Sequence, residues 1–234
     1  FNIATALAHA EEAHALVLSG SCQSDPRARG LIEAMLVRCR AFAAPLPAEP
    51  ASAAPAASAA TLQKFFTAGE RAYADALRSV LRAHPDDPNV AALFAAAMMN
   101  TGPPWKLWLP TDATPRAQRQ PAPDTLEIQR VLRHGLDIAP DHPGLCHLWV
   151  HAMEMAPDPS LALPQADILA AAGASKESEV GHLCHMAAHI YMQLGGTCPF
   201  AVRSAFCNYY QRIGCLLLLF VVVRNIADTT AAYG

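Results

Sequence analysis

The sequence predicts an all-α protein built from stacked antiparallel helix pairs. Alanine and leucine, which are strong helix formers, dominate the chain, and β-branched residues rarely form runs before the C-terminus. Two apolar helical stretches close on a Leu-x-x-x-Pro ending, Leu81–Pro85 and Leu136–Pro140. Because another helical stretch follows each ending within a few residues, we expect neighbouring helices to pack side by side in opposite directions.

The N-terminal region, residues 1–43, is predicted to form one helical pair. An Ala-rich stretch from Asn2 to Ser19 makes the first helix, and Pro26 opens the second, because proline fits the first turn of a helix. Residues 44–60 are rich in proline, alanine and serine. This composition predicts a flexible linker between the pair and the rest of the chain.

Residues 61–196 are predicted to hold the repeated helices. One helix spans Thr61 to Ala83, with a broad apolar stripe, and a second spans Pro88 to Asn100. The stripe of the first comprises Phe66, Tyr73, Leu77, Val80 and Leu81. Residues 101–123 are too proline-rich for regular structure and are predicted to be an insertion. Its two tryptophans are predicted to anchor it over the core, and a lid that contacts a bound peptide is the alternative.

The helical pattern resumes after the insertion. Asp124 is predicted to cap a helix that ends near Ile138, and the helix that follows begins after His142, which is predicted to be a capping or turn residue.

Composition excludes several classes of protein. With 234 residues and 53% hydrophobic content, the chain can bury a sizeable core. A net charge of -3 leaves no basic stripe, so nucleic acid is not an expected partner. The seven cysteines contain no C-x-x-C pair, which argues against a disulfide framework or zinc ribbon and favours a reducing, cytoplasmic location. The chain opens at Phe1 without a visible signal peptide and reads as an incomplete N-terminus.

The C-terminal segment, residues 197–234, departs from the helical pattern. Its apolar run IGCLLLLFVVV, residues 213–223, is shorter than the roughly 20 residues that cross a bilayer, so a membrane is not an expected partner. A buried helix or strand is one interpretation of this run. A retained intron or shifted reading frame after Gly196 is the other.

Two stretches repeat the pattern Leu-Cys-His-x-x-x-His: LCHLWVHAM at residues 145–153 and LCHMAAHIY at residues 183–191. At helical spacing, each presents one apolar face for packing, and the two faces comprise Cys146, Trp149, Val150 and Met153, and Cys184, Ala187, Ala188 and Tyr191. A polar row follows the neighbouring flank of each helix. The first row comprises His147, His151 and Glu154, and the second comprises His182, His185 and His189.

These stretches lie in a region, roughly residues 68–196, that resembles tetratricopeptide repeats. The resemblance is carried by ADALRSVLRAHPDDPNVAALFAAAMM and IQRVLRHGLDIAPDHPG, and by the words His-Pro-Gly, His-x-x-x-His-Ala-x-Glu and Gly-His-Leu-x-His-Met-x-x-His-Ile. The latter words are similar to those of a microbial branch of such proteins, for which no activity is established. The resemblance implies a tetratricopeptide-like α-solenoid in which the two polar rows line a concave groove and face one another.

Two functions are compatible with these rows. The favoured prediction is a scaffold that binds a protein or peptide segment in the groove, with no cofactor and no catalytic residue. The alternative is a metal-binding protein or metal-dependent enzyme, in which His147, His151, His185 and His189 hold zinc or a similar divalent ion. Glu154 would then add a carboxylate ligand or a general base, although neither stretch contains the internal glutamate of the H-E-x-x-H motif.

Overall fold

The computed structural model describes residues 2–20, 25–44, 55–102, 106–110, 115–173 and 181–195, and it confirms the all-α prediction. The described residues form eight α-helices: α1 Ile3–Leu18, α2 Pro26–Ala43, α3 Pro55–Ala83, α4 Pro88–Met99, α5 Thr125–Ile138, α6 Pro143–Met153, α7 Leu163–Gly173 and α8 Gly181–Gln193. Short 3-10 helices span Arg116–Gln118 and Pro159–Ala162. None of the helices described here is long and apolar enough to span a bilayer.

Local capping chemistry explains where several helices begin. Asn2, Asp25 and Asp87 each accept hydrogen bonds from backbone N–H groups of the first turn that follows. The imidazole of His142 does the same for Leu145, with Nδ1 3.2 Å from the backbone nitrogen, which confirms its predicted capping role. These side chains satisfy donors that a helix start would otherwise leave without partners.

One predicted boundary and one predicted cap are wrong. Helix α3 begins at Pro55, within the predicted linker, because proline fits its first turn and the alanines that follow favour helix; residues 45–54 lie outside the described residues. Asp124 stands at the N-cap position of α5 but caps no N–H group. Its carboxylate instead accepts from the guanidinium of Arg71, at 2.6 Å, and so links α5 to α3.

The prediction that the insertion has no regular structure is wrong, because part of it forms two short strands. Strand β1, Trp108–Leu109, pairs antiparallel with β2, Gln120–Pro121. A proline can occupy such an edge position, because its carbonyl still accepts although it has no N–H to donate. Trp108 is buried and its indole N–H donates to the backbone oxygen of Ala152 at 2.7 Å, which confirms that it anchors the insertion. The second tryptophan, Trp105, lies outside the described residues.

Helices α5 and α6 pack against one another in opposite directions. Gln129, near the start of α5, contacts the Met153 sulfur at the end of α6 at 3.1 Å, whereas Arg133, further along α5, lies over the Trp149 ring. Each helix from α1 to α7 packs against the next one in the chain. In addition, α4 packs against α6, and α6 packs against α8.

Most of the predicted apolar faces are buried in a core that runs from α2 to α8. Tyr73, Leu77 and Val80 lie inside, but Phe66 packs against the Phe42 ring and remains 45% exposed. The predicted face of α6 is buried throughout, and Ala187, Ala188 and Tyr191 of α8 are buried too; the side chain of Cys184 lies outside the described residues. Burial and the charge of Asp141 raise the pKa of the Cys146 thiol to about 11, so this cysteine is a packing residue.

Candidate metal centre between α6 and α8

The two polar rows face one another because α6 and α8 run side by side in the same direction. Near the helix starts, Nε2 of His147 lies 3.2 Å from Nε2 of His182. Nearer the helix ends, the rings of His151 and His189 are 5.9 Å apart between centroids. The predicted juxtaposition of the rows is therefore confirmed.

The five imidazoles form a closed loop, which we call the histidine cluster: His147, His151, His189, His185 and His182. Going round the loop in this order, the distances between ring centroids are 4.8, 5.9, 4.8, 6.2 and 5.0 Å. His182 is exposed, whereas the other four imidazoles are partly buried. The cluster is thus accessible from solvent on the side of His182.

Glu154 occupies the C-cap position of α6 and forms hydrogen bonds with two imidazoles of the histidine cluster. Its Oε1 accepts from Nδ1 of His151 at 3.0 Å, and its Oε2 accepts from Nδ1 of His189 at 2.5 Å. Burial alone would raise the pKa of this carboxyl, but the hydrogen bonds from the two imidazoles outweigh burial and lower the pKa to about 2. Glu154 is therefore ionised at neutral pH.

These hydrogen bonds determine which imidazole nitrogens are available as ligands. An ionised carboxylate can only accept, so His151 and His189 must each carry a proton on Nδ1. In the neutral ring this leaves a lone pair on Nε2, the arrangement found in carboxylate–histidine–zinc groups. Nε2 of His189 lies 3.1 Å from Nε2 of His185.

Burial keeps part of the cluster uncharged. It lowers the pKa of His147 to about 4, and the positive charges that His151, His182 and His189 would carry act in the same direction. The pKa of His185 is also lowered, first by burial and then by the charges of His189 and His182. At pH 7 both imidazoles are neutral, which is the form that binds metal ions.

Three members of the cluster are positioned to share one ion. His147, His151 and His182 each offer one nitrogen, and these nitrogens all lie within 4.8 Å of one another. Tetrahedral zinc with Zn–N bonds of about 2.0–2.1 Å requires ligand nitrogens about 3.3 Å apart. The separation between His147 and His182, 3.2 Å, is close to this value, and the nitrogen of His151 lies within 4.8 Å of both.

The metal set predicted from the sequence shares only two of its four residues with this group. His147 and His151 belong to both, but His182 completes the three-nitrogen group, whereas His185 and His189 form the adjoining part of the cluster. The reason is the register between α6 and α8, which places His182 level with His147. A helical pattern shows which residues share a flank, but not how far one helix is shifted along its neighbour.

The insertion supplies residues that the sequence did not point to. The Arg116 guanidinium donates to the backbone oxygens of Glu154, at 2.6 Å, and of Ala156, at 3.1 Å, and it also binds the side chain of Gln193 in α8. Arg119 donates to the backbone oxygen of Met155 at 3.3 Å. A helix end exposes carbonyls that attract such cations. Because these contacts join the insertion to the end of α6, which lies far from it in the sequence, no local sequence pattern predicts them.

The arrangement suits metal binding better than acid–base catalysis by Glu154. A general base that works near neutral pH needs a pKa close to that pH, and the carboxyl of Glu154 is far below it. The same carboxylate is already engaged by two imidazoles. The predicted general-base role of Glu154 is therefore not supported, and its geometry is that of a residue that orients ligands.

Comparisons with known proteins add no independent assignment. A scan of protein-family models, a search of curated proteins and a search of solved structures each gave no match for this chain. Membership of the tetratricopeptide-repeat family therefore stays a prediction. The geometry of the histidine cluster is the evidence that bears on function.

Proposed function

We propose that this protein binds a divalent transition metal ion, with zinc the best candidate, through His147, His151 and His182. The observation that carries the proposal is the convergence of three imidazole nitrogens within 4.8 Å of one another, on two helices that pack together. Glu154 orients His151 by accepting its Nδ1 proton. Water or a substrate group would occupy the remaining position on the exposed side.

The ligand chemistry favours zinc or a similar ion over calcium or magnesium. Imidazole is a borderline-soft donor that suits zinc, copper and nickel, whereas calcium and magnesium prefer oxygen ligands. The three proposed ligands are all imidazoles, and the nearby carboxylate holds one of them through a hydrogen bond. Such a carboxylate partner fixes the imidazole orientation and increases its basicity.

A purely structural cluster is a less economical explanation of the same residues. Partly buried imidazoles lose water contacts, and each nitrogen then needs a partner. Hydrogen bonding between His147 and His182 meets part of this need. A bound ion would satisfy several nitrogens at once, and burial, which lowers the pKa of His147, already keeps that imidazole in the neutral form that binds metal.

We infer further that the helices form a tetratricopeptide-like α-solenoid. The antiparallel packing of α5 and α6 supports this, as do the contacts of each helix with the next and those of α4 with α6 and of α6 with α8. The starts of α4 and α6 are joined by His142 and Asn89, whose side chains approach within 3.2 Å. Binding of a protein or peptide in a groove of this solenoid remains a prediction.

Metal analysis of the full chain tests the proposed function. We expect the protein, after zinc loading and desalting, to retain at least one equivalent of zinc by elemental analysis. A His147→Ala/His182→Ala variant should lose this ion. His134→Ala is the matched control, because His134 is a half-exposed histidine of α5 that pairs with Asp86 outside the cluster.

Folding of each variant is checked by circular dichroism. Loss of zinc from a folded cluster variant, with retention in the control, supports the proposal. Absence of bound zinc in the wild-type chain at micromolar free zinc would overturn it and would leave the scaffold prediction as the better account.

A further inference from the structure

We propose that His185 and His189 hold a second divalent ion next to the first, so that the histidine cluster is a two-metal centre. This inference rests on the proposed function, since the second ion is defined as a neighbour of the ion on His147, His151 and His182. It is carried by the spacing of His185 and His189 and by the way in which Glu154 serves both halves of the cluster.

The first argument is the distance between the two candidate ligands. His185 and His189 are four residues apart on α8, and their Nε2 atoms are separated by 3.1 Å. The corresponding pair in the first half, His147 and His182, is separated by 3.2 Å. Both values are close to the roughly 3.3 Å between two nitrogens on a tetrahedral zinc ion.

The second argument is the symmetry of the hydrogen bonds from Glu154. One carboxylate oxygen accepts the Nδ1 proton of His151, and the other accepts that of His189. A single carboxylate thus directs the Nε2 lone pair of one imidazole in each half. If the cluster held one ion on the first three histidines, the bond to His189 would orient a residue with no ligand role.

The third argument is the separation of the halves. The two contacts that connect them are His151 with His189, at 5.9 Å between ring centroids, and His182 with His185, at 6.2 Å. Ring separations of this size are consistent with two ions about 3.5–4 Å apart, the usual spacing in two-metal sites. The contacts within each half are shorter, between 4.8 and 5.0 Å.

Binding of the second ion requires one proton to move. In the absence of metal, His185 and His189 share a proton between their Nε2 atoms, with His189 as acceptor because its own proton lies on Nδ1. The ion takes both Nε2 lone pairs, and the His185 proton moves to Nδ1 of the same ring or is released to water. With two protein ligands and water, the second ion should bind more weakly than the first.

Calorimetric titration of the chelator-treated full chain with Zn²⁺ tests this directly. We expect two equivalents, bound in two steps, for the wild-type chain and for the His134→Ala control. His185→Gln should bind one equivalent with the affinity of the first step. In the wild-type chain loaded with two equivalents of Co²⁺, magnetic coupling between the ions should appear in the electron paramagnetic resonance spectrum.

The outcomes separate the two proposals. No bound zinc in the wild type would overturn the proposed function, and with it the second ion. One equivalent in both wild type and His185→Gln would overturn only the second ion. Two equivalents in both, or two uncoupled Co²⁺ ions, would also overturn it, because the additional ion would then bind elsewhere. The coupling measurement uses the wild type alone and therefore stands if the variant fails to fold.

Discussion

Because of His147, the free energy of unfolding of the metal-free protein should decrease as the pH falls from about 6.5 to 4. Its pKa in the folded protein is about 4, below the ordinary value of 6.5, because burial and neighbouring positive charges disfavour the imidazolium. Between these values the unfolded chain binds a proton that the folded chain does not. The stability is therefore fully present above pH 6.5, declines down to pH 4, and shows no further loss from this group below that.

The size of the effect follows from the same two pKa values. Each pH unit between them is worth about 1.4 kcal/mol, so the upper bound is about 3.4 kcal/mol. Because the side chain is only partly buried, solvent screening reduces this to about 1–2 kcal/mol. For a chain of this size such a loss lowers the melting temperature by about 2–8 °C. Glu154 acts in a separate window, since stability from its lowered pKa is lost only below about pH 4.5.

Thermal unfolding followed by circular dichroism from pH 7.5 to 4.5, with chelator present, measures this loss. In His147→Gln the neutral amide does not titrate, so the pH dependence should become shallower, whereas a His134→Gln control should keep the wild-type slope. Parallel curves for wild type and His147→Gln would refute the reasoning. Added zinc should steepen the wild-type curve, because protons then also compete with the metal for the imidazoles.

Three further changes have defined outcomes. Trp108→Phe removes the buried indole hydrogen bond to the Ala152 oxygen and should cost about 1–3 kcal/mol in urea unfolding. Gly135→Ala places a methyl group 2.8 Å from the buried Leu145 side chain, so the overpacking penalty of about 1–3 kcal/mol should exceed the helix-propensity gain of about 1 kcal/mol. Glu154→Gln should weaken zinc binding about 10–100-fold in a competition assay, because ligand orientation is lost.

Each of these changes has a matched control. Gly102→Ala adds a methyl group that has no neighbouring atom within 4 Å, so the overpacking penalty expected for Gly135→Ala should not appear in this variant. Leu109→Ala alters the residue next to Trp108 that is 39% exposed, and should cost less than Trp108→Phe. Glu12→Gln changes an exposed glutamate of α1 and should leave zinc affinity unaltered. Equal effects in a variant and its control would contradict the corresponding contact.

Local chemistry determined much of the helical layout. Pro26 and Pro88 stand in the first turns of α2 and α4 and act within a few residues of the chain, so the starts of these helices could be predicted from the sequence. The packing face of α6 follows from helical periodicity, which is also local. The repeated histidine pattern was sufficient to predict the two polar rows, and the resemblance to tetratricopeptide repeats implied that the rows face one another.

The tertiary structure decided the contacts that depend on how helices and loops are placed relative to one another. Asp124 has the sequence of a cap, but Arg71 of α3 lies close enough to bind its carboxylate instead. Arg116 reaches the end of α6 only because β1 and β2 fold the insertion across it. His182 joins His147 and His151 because of the relative shift of α6 and α8, a quantity set by the packing of the whole core rather than by the periodicity of either helix.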